Sequence, residues 1–285
     1  VPSPPADRTY WDGVASEWLR ARRYRLWREF TDTHQSGLVA RWIGALHASA
    51  RTADHDEGGL RLLKTDLFDE VAGRGVVQTL ISRGIQVTGV DIAPTVVAEA
   101  ARRNAGLNAV ASDVRSLPFA DASFDAVFSG STLDHFDDAH SVRQSLAELR
   151  RVLRPGGHLI LTMDNPANPI IWIRNGPLLP WLRRAGIVPY QVGRALGPRA
   201  LAASVRDAGF HVNATTAVMH CPRVLAVGCS TLVDRGPRAC HDAFLRALMA
   251  CEALERLPTR WLTGHYIAVH ATVPDMRHDA GRCPA

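Results

Sequence analysis

Four aspartates stand where short apolar runs give out. They fall in Lys64-Thr65-Asp66, in Val90-Asp91-Ile92, in Ser112-Asp113-Val114 and, after Phe128-Ser129-Gly130, in Leu133-Asp134-His135. A carboxylate at the end of a strand can accept two hydroxyl hydrogens in a fork, and the charge strengthens both bonds. Asp91 is placed to hold a ribose in this way. Dinucleotide enzymes place an acid similarly, so Asp91 by itself leaves the ligand open. His135 is the natural proton acceptor near neutral pH. Asp134 beside it orients an acceptor or is a plain loop acid, and His135 could instead pack the helix that Asp137 and Asp138 begin. His220 and His265 read as residues satisfying local hydrogen bonds. No H-x-x-x-H or H-E-x-x-H occurs to hold a metal, and no Gly-x-Ser-x-Gly elbow offers serine hydrolase chemistry.

The elements that must position these residues alternate. Short strands are read at Leu60–Leu63, Gln86–Ile92, Asn108–Ala111, Phe124–Ser129, His158–Met163, Phe210–Met219 and Tyr266–Val273. Helical patterns over Val71–Ser82, Pro94–Asn104, Ser141–Leu153 and Pro198–Ala208 separate most of them, and Val224–Leu232 and Ala239–Leu257 also read as helical. Such alternation predicts an α/β fold, a doubly wound and mostly parallel seven-stranded sheet with right-handed crossovers. Ligands then bind beyond the carboxyl ends of the strands, where the strand order reverses.

Outside this core the chain divides by composition. Residues 1–59 hold a proline-rich leader (Val1–Ala6), two or three aromatic-rich amphipathic helices with Tyr10, Trp11, Trp18, Trp27 and Trp42, and a polar linker over Arg51–Gly59. The helices dock on the core, form a lid over a pocket, or do both. Residues 60–164 are the ligand-binding core. Residues 165–197 hold Pro166, Pro169, Pro177, Pro180 and Pro189 among Ile170, Trp172, Leu178 and Trp181, too apolar for a solvent loop and too proline-rich for one helix. A cap over a pocket explains both. Residues 198–285 complete the sheet.

The chain has 285 residues and a net charge of +5, with 33 basic and 28 acidic residues. Its arginines are dispersed, so nucleic acid is not an expected partner. No apolar stretch reaches the ~20 residues of a membrane span, and no secretory leader opens the sequence. The five cysteines (Cys221, Cys229, Cys240, Cys251 and Cys283) are odd in number and show no C-x-x-C spacing, which fits reduced thiols in a cytoplasm.

The run from Val87-Thr88-Gly89-Val90-Asp91-Ile92 through Asp113, Leu117-Pro118-Phe119 and Ser123-Phe124-Asp125-Ala126-Val127-Phe128 to Leu149-Arg150-Arg151-Val152-Leu153-Arg154-Pro155-Gly156-Gly157 resembles the class I S-adenosylmethionine-dependent methyltransferases of small molecules. The likeness covers about residues 60–165 and, more loosely, the C-terminal part. It implies a Rossmann-like methyltransferase fold with an N-terminal helical lid and S-adenosyl-L-methionine as cofactor. By resemblance Asp91 takes the ribose hydroxyls, Ile92 lies on the adenine, and Asp113 with the Val114 amide meets the adenine edge. Ser129 sits beside the methionine moiety, and Leu133, Asp134 and His135 face the reacting centre.

One stretch departs from the family. Its glycine-rich first loop is replaced by Asp66-Leu67-Phe68-Asp69-Glu70-Val71-Ala72, without a glycine. Either the loop takes another shape, with Asp66 or Glu70 meeting the methionine ammonium and Gly73 or Gly75 giving a displaced approach, or cofactor binding is lost. Lys64, the one lysine among 32 arginines, sits beside this acidic stretch. It neutralises the acids or serves the cofactor. The expected activity is methyl transfer to a small, fairly hydrophobic acceptor, a secondary metabolite or lipid-like molecule. Two alternatives stay open: a repurposed fold catalysing cyclisation or isomerisation, or a non-catalytic partner subunit. A homodimer is compatible with all three.

Overall fold

The computed structural model describes residues 8–21, 24–50, 59–176, 178–185 and 192–275, without the side chains of 18–21, 45–50 and 183. The leader, the linker up to residue 58, Pro177, Pro189, Cys283 and the Trp18 side chain lie outside the described residues.

Two helices, α1 (Arg8–Ala21) and α2 (Arg25–Ala50), precede the sheet. The strands are β1 (Arg61–Thr65), β2 (Gln86–Asp91), β3 (Asn108–Ala111), β4 (Phe124–Gly130), β5 (Leu153–Asp164), β6 (His211–Val218) and β7 (Tyr266–Thr272), in the order β3-β2-β1-β4-β5-β7-β6. Strands β1 to β5 pair in parallel, and β7 runs antiparallel to both β5 and β6. The order reverses between β1 and β4, where Lys64 lies opposite Phe128 and Thr65 opposite Ser129.

Strand side chains alternate between two faces, and the apolar residues follow. Leu63, Val127, Leu159 and Leu161 pack with Leu146 and Leu149 of α6 (Ala139–Val152). Leu62, Ala126, Phe128 and Ile160 pack instead with Leu38, Val39, Trp42 and Ile43 of α2. The second N-terminal helix is therefore part of the core. Local signals set the helix starts: Pro94 opens α5 (Pro94–Arg103), and the Asp138 carboxylate accepts from the Ser141 amide to cap α6.

The helix expected over Val71–Ser82 is two short ones, α3 (Phe68–Ala72) and α4 (Val77–Ile81). Gly75 parts them at φ +62°, a conformation an L side chain rarely adopts. The cap region holds α7 (Pro169–Asn175) and α8 (Leu179–Arg184). Helix α9 (Pro198–Asp207) leads into β6. After β6 come α10 (Arg223–Val233), α11 (Arg238–Ala250), a 3-10 turn over Cys251–Arg256 and α12 (Arg260–Thr263). The single helix expected over Ala239–Leu257 thus ends at Ala250.

Candidate active site

A cavity of about 250 Å³ opens beyond the carboxyl ends of β1, β2 and β4, at the reversal of strand order. Its floor includes Thr65, Asp66, Asp91, Ile92, Asp113, Val114 and Gly130–Thr132. Trp11 of α1 and Trp27, Arg28 and Gln35 of α2 roof it. Asp134, His135, Asp164, Arg174, Arg223 and Tyr266 wall the far side.

Its near end is acidic. The Asp91 carboxylate accepts the Leu67 amide at 2.9 Å on Oδ2 and the Ala93 amide at 2.8 Å on Oδ1. Each oxygen keeps a lone pair for a further donor. Burial pushes the Asp91 carboxyl up, against the pull of those amides. Asp66, at φ +67°, accepts the Phe68 amide at 2.7 Å. Burial and then the neighbouring Asp91 charge drive its carboxyl well above the ordinary range. Two desolvated carboxylates facing one cavity create a demand for a cation. Asp113 closes the adjoining wall but is forked by Arg115, with Nη2–Oδ2 at 2.6 Å. Burial raises that carboxyl, and the Arg115 guanidinium and amide bring it below its ordinary value.

The loop that replaces the glycine-rich turn is held from below. Glu70 does not face the cavity. Its Oε1 accepts the amides of Val76 at 2.9 Å and Val77 at 3.3 Å at the start of α4, and Lys64 Nζ stands 3.0 Å from its Oε2. Lys64 also donates to the Asp66 carbonyl. Burial alone would lower the Lys64 ammonium, but Glu70, Asp66 and Asp69 outweigh it and hold it above its ordinary value. Asp69 points to α2, accepting Arg28 Nη1 and Gln35 Nε2, both at 2.8 Å, while Asp32 of α2 accepts the Arg74 amide at 2.8 Å. Helix α2 is thus laced to the loop.

Of the residues singled out from sequence, Asp66, Asp91, Ile92, Asp113, Val114, Asp134 and His135 line the cavity. Three do not. Lys64 is sealed beneath the loop at 2% exposure. Gly73 packs on α2, where a Cβ would stand 2.7 Å from Asp32 Oδ2. Ser129 is fully buried, its hydroxyl accepting from Thr65 Oγ1 at 2.9 Å. Leu133 likewise belongs to the core.

His135 meets the Trp11 indole edge-to-face, with centroids 4.6 Å apart. Asp134 Oδ2 accepts the Ser131 hydroxyl at 2.8 Å and the Asp164 amide at 3.0 Å. Its Oδ1 is buried and finds no hydrogen-bond partner among the described residues. Asp164 pairs with Arg174, and Arg223 Nη1 lies 2.7 Å from His265 Nε2 and 3.0 Å from the Tyr266 hydroxyl. Burial and the two guanidiniums keep His265 well below its ordinary value, hence neutral. His220 bonds locally to Thr263 and Ala217. Sequence reasoning missed Asp164, Arg174 and Arg223: the terminal-acid signal that picks out Asp91 could have found Asp164 at the end of β5, whereas the two arginines lie on α7 and α10, away from the strand ends.

Residues 70–161 match the methyltransferase domain family. The ubiquinone/menaquinone biosynthesis C-methyltransferase UbiE of Desulfotalea psychrophila is 39% identical over 127 residues, 42% of this chain and 49% of that protein. The malonyl-[acyl-carrier protein] O-methyltransferase of Enterobacter lignolyticus is 35% identical over 160 residues, 56% and 55% of the two chains. The chain spans about half the length of these curated relatives. Among solved structures, the [4+2]-cyclase SpnF superposes with a TM-score of 0.53 at 21% identity, over 84% of this chain and 80% of that one. A geranyl diphosphate methyltransferase in complex with GPP and sinefungin gives 0.50 at 15%, over 84% and 76%. At such identities the structures share the fold alone. Through residues 70–161 the chain thus matches a methyltransferase domain, and the order of its sheet gives it the fold of the S-adenosylmethionine-dependent methyltransferases it resembles.

Proposed function

We propose that the protein transfers a methyl group from S-adenosyl-L-methionine to a small, fairly hydrophobic acceptor, a secondary metabolite or lipid-like molecule. The observation that carries this reading is the acidic end of the cavity, where Asp66 and Asp91 face one space at the switch point of the sheet. A cationic ligand with a ribose fits that demand. Asp91 has one lone pair on each oxygen for the two ribose hydroxyls. Asp66 meets the ammonium, Ile92 lies on the adenine, and Asp113 with the Val114 amide takes the adenine edge. When bound, the cofactor supplies an electrophilic methyl group on a sulfonium.

The chain's own part is alignment and proton removal. His135 takes the proton of the acceptor, and the unfilled Oδ1 of Asp134 orients the acceptor's donor group. Trp11 on His135 makes α1 a lid that holds the imidazole and keeps water from it. A cytoplasmic location completes the reading, and the free thiols of the four described cysteines support it.

Calorimetric titration with S-adenosylmethionine and with its demethylated product tests this reading. Micromolar binding of both is the expected result, followed by acceptor screening with labelled methyl donor. No binding by ligand-free protein would leave the fold repurposed for cyclisation or isomerisation, a reading that the rebuilt first loop favours, or serving as a partner subunit.

A further inference from the structure

The apolar side chains of α7 and α8 turn away from the cavity. Trp172 and Trp181 are 64% and 61% exposed, and Ile170, Ile173 and Leu178 lie between 44% and 46%. Among the described residues of 165–185, Arg174 alone reaches the cavity wall. Helix α7 is nonetheless anchored. Ile171 is fully buried, Arg174 pairs with Asp164, and the Asn168 amide donates to the carbonyls of Thr263 and Gly264 at 3.2 and 3.1 Å. The outward posture of Trp172 thus belongs to a fixed helix. The neighbouring α12 adds Leu262 at 55%, and α10, which begins at Arg223 on the cavity wall, adds Val224 and Leu225 at 66%. So many large apolar groups flanking one opening mark an interaction surface.

Charge identifies the occupant. From Asn165 to Arg206 the chain carries six arginines and no acidic residue, against 33 basic and 28 acidic residues overall. Among the described residues, Arg174 alone of the six is paired with a carboxylate, that of Asp164. A second copy across a two-fold axis would oppose these like charges to themselves. Exposed indoles, with the exposed Arg184 on the same helix as Trp181, match the headgroup region of an anionic bilayer, where amphipathic rings settle and guanidiniums meet lipid phosphates. We propose that α7 and α8 dock the protein on an anionic lipid surface, with Trp172 and Trp181 entering the headgroup layer beside the mouth of the cavity.

Flotation of the full chain with vesicles tests this without donor or acceptor, so its outcome is separate from that of methyl transfer. The protein should float with phosphatidylcholine vesicles containing phosphatidylglycerol, not with phosphatidylcholine alone, and should be released by salt. Brominated lipid in the same vesicles should quench the wild-type tryptophan emission. W172S/W181S, checked for its fold by circular dichroism, should lower partitioning by roughly tenfold or more. Should that double variant not fold, Arg184→Glu, a single exposed change, should weaken flotation severalfold. Absence of flotation with the anionic vesicles, or flotation indifferent to these substitutions, overturns the proposal. So does self-association of the wild type, lost in the double variant and unaccompanied by vesicle binding, which would make the face a contact between copies.

Discussion

Lys64 Nζ stands 3.0 Å from Glu70 Oε2, with side-chain exposures of 3% and 0%. The pair underlies the loop between β1 and α4, and Glu70 in turn satisfies two amides at the start of α4. An ion pair sealed from water is costly to break from one side, because the remaining charge is stranded. Lys64→Met should therefore destabilise the protein by about 3–5 kcal/mol. Urea denaturation measures this, and the double variant with Glu70→Gln should recover part of the loss. A loss under about 1 kcal/mol, the scale of an exposed pair, would show that water reaches the site.

Asp91→Ala removes both oxygens proposed for the ribose. The expected cost is roughly 1.5–3 kcal/mol in affinity for S-adenosylmethionine, the scale of a hydrogen bond to a charged group. Calorimetry reads it directly. Unchanged affinity in a folded variant would move the ribose elsewhere in the cavity.

His135→Ala should lower turnover by about 10²–10⁴-fold, the usual contribution of a positioned base. Affinity for the donor should stay nearly intact, since the proposed mechanism gives the imidazole no bond to the donor. Full turnover across the pH range would remove His135 as the base.

The third titratable feature lies away from the cavity. His158 Nδ1 sits 2.8 Å from His270 Nε2, and Trp42 stacks on His270 with centroids 5.4 Å apart. Burial, and then the charge of its partner, lower the His158 imidazole from 6.5 to about 4. Burial lowers His270 too. Below pH 6.5 the unfolded chain takes up protons that the native His158 refuses. Its contribution to stability is thus present above that pH and lost as pH falls toward 4. Asp32 works the other way, because burial raises its carboxyl from 3.8 to about 6. The readout is accordingly a difference: between pH 7 and pH 5 the wild type should lose more urea resistance than His158→Gln. Parallel losses would show that the His158 ring stays hydrated.

The alternating strands and the aspartates at their ends are legible because period-two patterning and terminal polarity are local properties of the chain. Val87 to Asp91 shows this: its Val and Thr content predicts β2, and its last residue lines the cavity. Residues 165–185 show the opposite. Their hydrophobicity implies contact with something apolar, but composition does not say on which side of a helix the contact lies, and Trp172 and Trp181 face outward. Glu70 was misread for a related reason. It looks like a loop acid beside a ligand, yet it folds back onto amides six and seven residues later. The helix expected over Val71–Ser82 fails at Gly75, whose positive φ outweighs the apolar periodicity around it.

A Cβ built on Gly75 would stand 2.3 Å from Glu70 Oε1. Any side chain there expels Glu70, and losing Glu70 strands the ammonium of Lys64. An arginine in place of Lys64 would force a bulkier, forked cation into a closed space. The three positions are therefore bound epistatically: a lineage can pass between this loop and a glycine-rich one only through joint replacement. In a protein with 32 arginines and one lysine, such a constraint accounts for where that lysine has survived.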